Sequence, residues 1–239
     1  WKIAIVHEYL NQYGGAERTL REIFMPLFPQ ADIYTLFHDT RRIQIDPRWH
    51  ITTSFLQYLP KLKRHKLYIP LFPIAMKTFR FDDYDIILSS SHAFAKNIRK
   101  PKKGIHICYC HTPMRYAWDL EEEYLTYESS LLHFPLKLFL SVLRWWDKKN
   151  TNSVDYFIAN SENVRQRIKK YYNRESTVIY SAVDCKKYTL HEKKKDYYLI
   201  VSRLIEPKRI DIAVQAFTLL GKPLIIIGSG RDQEKLQHF

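Results

Sequence analysis

The chain is 239 residues long, 46% hydrophobic and 26% charged, the composition of a folded globular protein with room for one large or two modest domains. Its formal net charge of +13 attracts polyanionic or phosphorylated partners without choosing among them. Three cysteines, Cys108, Cys110 and Cys185, argue against a disulfide scaffold, and no uninterrupted apolar stretch is long enough to span a bilayer.

In chain order the signals alternate between strand and helix. Residues 2–6 read as a buried first strand, too short for a signal peptide. Residues 16–28 place Leu20, Ile23, Phe24 and Leu27 at helical spacing. Residues 32–37 predict a second strand. Residues 52–81, broken by Pro60, Pro70 and Pro73, predict short helices. Strands follow at 85–89 and 105–110. On the latter, Cys108 and Cys110 share a face as small buried hydrophobes; a single Cys-x-Cys pair supplies too few ligands for zinc. Next come a helix over 131–149 with a basic tail and a strand over 155–159. A helix over 161–172, capped by Asn160 or Ser161, leads to a strand over 177–180. Such alternation predicts an α/β protein with a doubly wound parallel sheet.

The lysine-rich stretch 186–196 reads as a linker. The expected domains are therefore 1–185 and 186–239. After the linker the pattern restarts with a strand over 197–202, a helix over 208–220, a strand over 223–227 and the start of another helix. Two parallel strands with so few helices leave an unpaired edge and little core. The second domain is accordingly expected to be incomplete here, the natural chain continuing past Phe239.

Several constellations carry candidate chemistry. Gly14 and Gly15 follow the first strand and precede a helix N-terminus, a setting that lets backbone approach a phosphate but is also a plain turn. His111 ends a parallel strand, where ligands bind; it is suited to hydrogen bonding or acid–base work, or to capping a loop. Arg203 and Lys208 follow the first strand of the second domain and suit a diphosphate as a planar fork and a point charge. Gly228, Ser229, Gly230 and Arg231 end the next strand in the manner of a nucleotide-contacting turn. Neither glycine turn completes G-x-G-x-x-G, which speaks against a dinucleotide enzyme. Asp83-Tyr84-Asp85 imitates a metal-holding Asp-x-Asp but leads into a buried strand, so a polar strand start is the expected role. Aromatic and basic residues mix over 134–149 and again over 56–81, where Lys61, Lys63, Arg64, His65 and Lys66 stand; one such patch suits an anionic membrane surface, while packing on the sheet is expected for most of the 134–149 helix.

The order of these segments is itself informative. Gly14-Gly15-Ala16-Glu17, Ser89-Ser90-Ser91-His92 and Tyr109-Cys110-His111-Thr112-Pro113 come first. Ile158-Ala159-Asn160-Ser161, Val178 to Asp184, Ser202-Arg203-Leu204 with Lys208-Arg209, and Ile226 to Gly230 follow. The series resembles family-4 glycosyltransferases of the GT-B fold, especially the mannosyltransferase-like branch of bacterial surface-polysaccharide synthesis. The resemblance implies two Rossmann-like domains, 1–185 on the acceptor side and 186–239 as the start of the donor side. It implies a retaining transfer of a hexose, mannose from GDP-mannose, to a glycan or lipid-linked acceptor, without cofactor or metal, in the cytoplasm or at the inner face of the cell membrane. Arg203 and Lys208 would neutralise the leaving diphosphate, Gly14 and Gly15 would approach it, His111 would lie near the sugar, and Gly228 to Arg231 would border the nucleoside. The family also carries two glutamates separated by seven residues, which would lie beyond Phe239, and usually a proline after the residue matching Tyr180. The alternative is a non-catalytic binding or assembly protein that kept the fold. Nucleic acid is not an expected partner, since no recognised motif accompanies the charge.

Overall fold

The computed structural model describes residues 1–60, 62–119, 130–190, 192 and 194–238; the side chains of 62–66 and 130–132 are not among those described. The chain divides into two compact units, Trp1–Val183 and Asp184–Phe239.

The first unit is built on strands β1 (Ile3–His7), β2 (Asp32–Thr35), β3 (Ile51–Thr53), β4 (Ile86–Ser91), β5 (Ile105–Cys110), β6 (Tyr156–Ala159) and β7 (Ser176–Val178). Their order is β3-β2-β1-β4-β5-β6-β7, and every pairing is parallel. The chain winds outward from β1 to β3, then crosses back to β4 and winds the other way. The reversal falls between β1 and β4, where an open parallel sheet presents a crevice beyond its carboxyl ends.

Both faces of the sheet are buried, and the side-chain period of two sorts residues between them. Ala4 and Val6 turn to one face, with Ile87, Phe72, Met76, Phe94 and Leu143. Ile5 turns to the other, with Ile33, Leu88 and Tyr109, beneath Leu20, Phe24 and Met25. Those last three ride on a helical run that is α over Gly15–Thr19, π over Leu20–Phe24 and α again over Met25–Leu27. Pro26 accounts for the widened turn: it has no N–H to donate, and in a regular α-helix its ring would strike the carbonyl of Glu22.

The structure refines the sequence expectation in several places. Residues 51–53 form β3, pairing Ile33 with Ile51; three residues are too few to show alternation in sequence. The short helices expected over 52–81 are present as Phe55–Tyr58 and Leu62–Leu71, both 3-10, with Pro70 inside the second, and the α-helix Phe72–Thr78. In the second unit, β8 (Tyr198–Val201) and β9 (Leu224–Ile227) pair in parallel around helix Ile210–Leu220. That helix starts at Ile210 rather than 208, because Pro207 holds Glu206–Lys208 in a 3-10 turn and Arg209 takes a left-handed conformation at φ 47°.

Asp83-Tyr84-Asp85 serves as a polar strand start. Lys2 N donates to Asp85 Oδ2 at 2.8 Å, and Tyr84 Oη donates to Asp32 Oδ2 at 2.6 Å.

Candidate active site

The carboxyl ends of β1, β4 and β5 place three polar side chains on one face. Ile5, Leu88 and Tyr109 pack together on that face, and one alternation further lie His7, Ser90 and His111. Ser90 Oγ is 3.1 Å from His7 Nδ1 and 2.9 Å from His111 Nε2. The hydroxyl has one proton to give and two lone pairs, so it donates to at most one of the two imidazoles, and their tautomers set the direction of each bond. On its far side His7 Nε2 faces Glu17 Oε1 at 3.8 Å, with both side chains buried. His111 sits edge-on to Tyr109, ring centres 5.2 Å apart. Burial, and then the charges of His7 and His92, push the His111 imidazole down to about 3. It is therefore a neutral donor or acceptor at physiological pH, not a cation.

Glu8, the next residue, turns to the opposite face and is completely buried. Its Oε1 accepts from Ser91 Oγ at 3.1 Å, His92 N at 2.9 Å, Ala93 N at 2.7 Å and Ala95 N at 3.1 Å. Its Oε2 lies 2.9 Å from His92 Nδ1. Burial alone would raise this carboxyl; the His92 charge and hydrogen bond, the His7 charge and the backbone donors outweigh it and hold Glu8 far below the usual carboxylate range. Burial would likewise lower His92, but Glu8 raises it above its ordinary value. The ionised pair organises the loop after β4. A second buried pair fixes the same loop from below. Lys96 donates to Asp147 of helix Ser130–Asn150, whose carboxylate also accepts from Asn97 Nδ2 at 3.0 Å, Trp118 Nε1 at 3.0 Å and Tyr172 Oη at 2.8 Å.

Gly14 N donates to Glu17 Oε2 at 2.8 Å, so the Glu17 carboxylate satisfies the backbone N–H at the helix start, while glycine has no side chain to return the bond. A Cβ on Gly14 would meet that oxygen at 2.8 Å, while one on Gly15 would meet nothing within 4 Å. Gly14 thus serves the local fold, and Gly15 faces open space at the helix start.

A cavity of about 510 Å³ opens beyond β5 and β6, lined by His111, Thr112, Arg115, Asp119, Asn163 and Arg167. Asn163 and Arg167 stand one turn apart on helix Glu162–Tyr172; Ser161 caps that helix, accepting from Val164 N at 3.2 Å. Arg167 and Tyr171 both donate to Asp119. Arg167 Nε is buried without an acceptor among the described residues. Burial, and the like charge of Arg115 against the opposing pull of Tyr171, holds Arg167 below its usual range.

In the second unit Arg203 and Lys208 are exposed. They hold no carboxylate among the described residues, whereas Arg209 is paired with Asp211 at 3.0 Å and Arg231 with Glu206 at 3.4 Å. Ser229 is exposed beside them in sequence. Gly228 has φ 156°, and a Cβ there would strike Ser202 O at 1.8 Å; one on Gly230 would strike Leu204 O at 1.9 Å. These glycines let the turn after β9 lie against the chain leaving β8. That close approach of the two segments is visible only in the structure.

Sequence reasoning singled out His111 but missed His7, Glu8, Glu17, Ser90, His92, Lys96 and Asp147. A signal was present in the charged His7-Glu8 dipeptide ending an apolar strand and in Lys96 set between Ala95 and Asn97 after Phe94. The helix Ser130–Asn150 buries Leu140, Leu143 and Asp147 yet exposes Phe134, Leu138, Val142 and Trp145; Lys149 Nζ lies 4.9 Å over the Trp145 ring. The basic side chains of residues 61–66 lie outside those described. No helix among the described residues is long and apolar enough to cross a membrane.

Residues 13–187 match the family model described as Glycosyltransferase Family 4. No curated protein matches the chain by sequence. Among solved structures, HepE from Anabaena in complex with UDP is 16% identical, with a TM-score of 0.64 over 100% of this chain and 64% of that one. Sucrose-phosphate synthase from Thermosynechococcus elongatus is 14% identical, TM-score 0.65, over 98% of this chain and 64% of that one. TarM from S. aureus, in complex with fondaparinux, alpha-GlcNAc-glycerol and UDP, is 11% identical, TM-score 0.60, over 99% of this chain and 74% of that one. At such identities the likeness shows the fold alone, α/β and Rossmann-like in the GT-B manner. The chain spans 64% of the length of the first two neighbours.

Proposed function

The chain belongs to glycosyltransferase family 4, and on that premise we propose that it moves a hexose from a nucleoside diphosphate sugar to a glycan or lipid-linked acceptor in surface-polysaccharide synthesis. The observation that carries this reading lies in the second unit taken by itself: Arg203 and Lys208, which follow its first strand, are exposed cations that hold no carboxylate among the described residues. In this proposal residues 1–185 bind the acceptor and residues from 186 onward bind the donor.

The anomeric carbon–diphosphate bond breaks as the acceptor oxygen attacks from the same face, and the departing diphosphate oxygen takes the acceptor proton. Arg203 and Lys208 stabilise the charge that develops on the leaving group, and Gly15 leaves room for its phosphates. Gly14 to Glu17 hold that helix start in place. Gly228, Ser229, Gly230 and Arg231 border the nucleoside. His111, neutral, orients the sugar and acceptor hydroxyls rather than acting as the base.

Mannose delivered from GDP-mannose is the finer reading, drawn from the mannosyltransferase-like order of motifs. HepE is described in complex with UDP and with UDP-glucose, which supports a nucleoside diphosphate sugar and makes the base the quantity to measure. Thermal shifts with GDP, GDP-mannose, UDP and UDP-glucose read it directly, since a ligand of the folded state raises the melting temperature with its saturation. A shift with one base and its sugar, abolished in Arg203→Ala without loss of stability, is the expected result. No shift with any nucleotide would end the proposal.

The same proposal seats the first unit on an anionic membrane surface through helix Ser130–Asn150. Phe134, Leu138, Val142 and Trp145 form its exposed apolar stripe. Lys137, Lys148 and Lys149 are exposed on the same helix, and its acid, Asp147, is buried and paired with Lys96. Flotation with phosphatidylglycerol vesicles is expected to carry the chain upward and to fail for Trp145→Ser. Equal flotation of the variant would remove this stripe from the proposal.

A further inference from the structure

We propose that the cavity at the ends of β5 and β6 binds a negatively charged group of the acceptor, a phosphate or a carboxylate, between Arg115 and Arg167. The inference rests on reading the first unit as the acceptor side, and it names the chemistry that side selects.

The cavity has the size of a small-molecule site at about 510 Å³. It lies where an open parallel sheet receives ligands, and it shares His111 with the strand-end cluster. Its ionised lining is two guanidinium groups and one carboxylate, Asp119. That carboxylate is already engaged by Arg167 and by Tyr171, so it does not neutralise Arg115. Arg115 is exposed and holds no carboxylate among the described residues. Arg167 Nε is a buried donor without an acceptor among the described residues. Two like charges directed at one cavity, one of them incompletely hydrogen bonded, are stabilised by a bound oxyanion that accepts from both. A guanidinium suits this because its planar fork matches two oxygens at once. Thr112 and Asn163 add neutral polar groups at the rim. A neutral sugar offers the two guanidinium groups no opposite charge, which is why the proposal commits to an anion.

The test is a calorimetric titration of the 239-residue chain with glucose, glucose 6-phosphate, glucuronate and a short-chain phosphatidic acid held below its micelle threshold. The last two arms separate a sugar acid and a lipid phosphate from a sugar phosphate. Expected is binding of at least one anion, with Arg115→Gln weakening it about tenfold, the loss of one charge-assisted hydrogen bond. Arg203→Ala is expected to leave it unchanged, which excludes phosphate captured at the donor cations. Arg167→Gln also removes the Asp119 pair and disturbs the fold, so the exposed Arg115 is the deciding position. Glucose binding as tightly as any anion, an unchanged affinity in Arg115→Gln, or no binding of any anion at millimolar concentration would overturn the proposal. Failure here with a nucleotide shift intact sinks this inference alone. Arg115-dependent anion binding without any nucleotide shift keeps the cavity and sinks the transferase reading.

Discussion

Replacing Glu8 by glutamine probes the most heavily hydrogen-bonded side chain of the candidate site. Glutamine keeps an oxygen where Oε1 accepts from Ser91, His92, Ala93 and Ala95, but puts an amide where Oε2 faces His92 Nδ1. The four bonds lose their charge assistance, and the buried ion pair disappears. A bond to a charged group is worth roughly 1 kcal/mol more than a neutral one, and these are not additive. Breaking a buried pair costs about 3–5 kcal/mol when one charge is left behind, but His92 is partly exposed and sheds its proton instead. The expected cost is therefore about 2–3 kcal/mol, and about 3–5 kcal/mol for Glu8→Ala, which strands all four donors.

The pH dependence carries a sign. Glu8 is lowered from 4.5, so its share of stability is present above that value and is lost as pH falls. His92 is raised from 6.5, so its share is complete below that value and is lost as pH rises through the elevated one. The gap between parent and Glu8→Gln is therefore widest between 4.5 and 6.5 and narrows on both sides. Urea unfolding followed by the fluorescence of Trp118 and Trp146, which pack on the first-unit core, measures it. A gap below about 0.5 kcal/mol at pH near 5.5, the size of an ordinary surface substitution, or a gap independent of pH, would refute the reasoning.

Three further outcomes are expected. His111 is held at about 3 from an ordinary 6.5, so the unfolded chain binds its proton first and stability falls as pH drops from 6.5 toward 3; His111→Gln should flatten that acid limb, and an unaltered limb would count against a neutral imidazole in the folded chain. Lys96→Met leaves the buried Asp147 carboxylate facing only Asn97, Trp118 and Tyr172, a loss of about 3–5 kcal/mol in the urea transition that a second change, Asp147→Leu, should partly restore. Gly230→Ala drives a Cβ into Leu204 O at 1.9 Å, whereas Gly15→Ala meets nothing within 4 Å; the first should cost about 1–3 kcal/mol and speed proteolysis of the second unit, and the second should stay within about 0.5 kcal/mol.

Much of the fold was legible because its cues are local. Val6 beside Ile5 and the alternating cysteines 108 and 110 each mark a strand without reference to anything distant, whereas the serines at 90 and 91, read as lying past the strand 85–89, belong to β4. β3 was not legible, because Ile51–Thr53 becomes a strand only by pairing with Ile33 and its neighbours. The late start of helix Ile210–Leu220 was half legible: Pro207 was in plain sight, but the left-handed Arg209 is a property of the folded turn.

By itself the sequence determined the alternation of strands and helices, the polar break after Val183, and the placing of His111, Arg203 and Lys208 just past strand ends, since period, punctuation and charge are written along the chain. Tertiary structure decided what those residues meet. His7, Ser90 and His111 stand 83 and 21 residues apart in sequence where their bonds form, Glu8 collects its donors from a loop more than eighty residues away, and Arg115 and Arg167 come to line one cavity. Strand order and register bring such residues together, and they depend on which hydrophobic faces bury one another across the whole sheet. That choice is made by long-range packing, which no local pattern encodes.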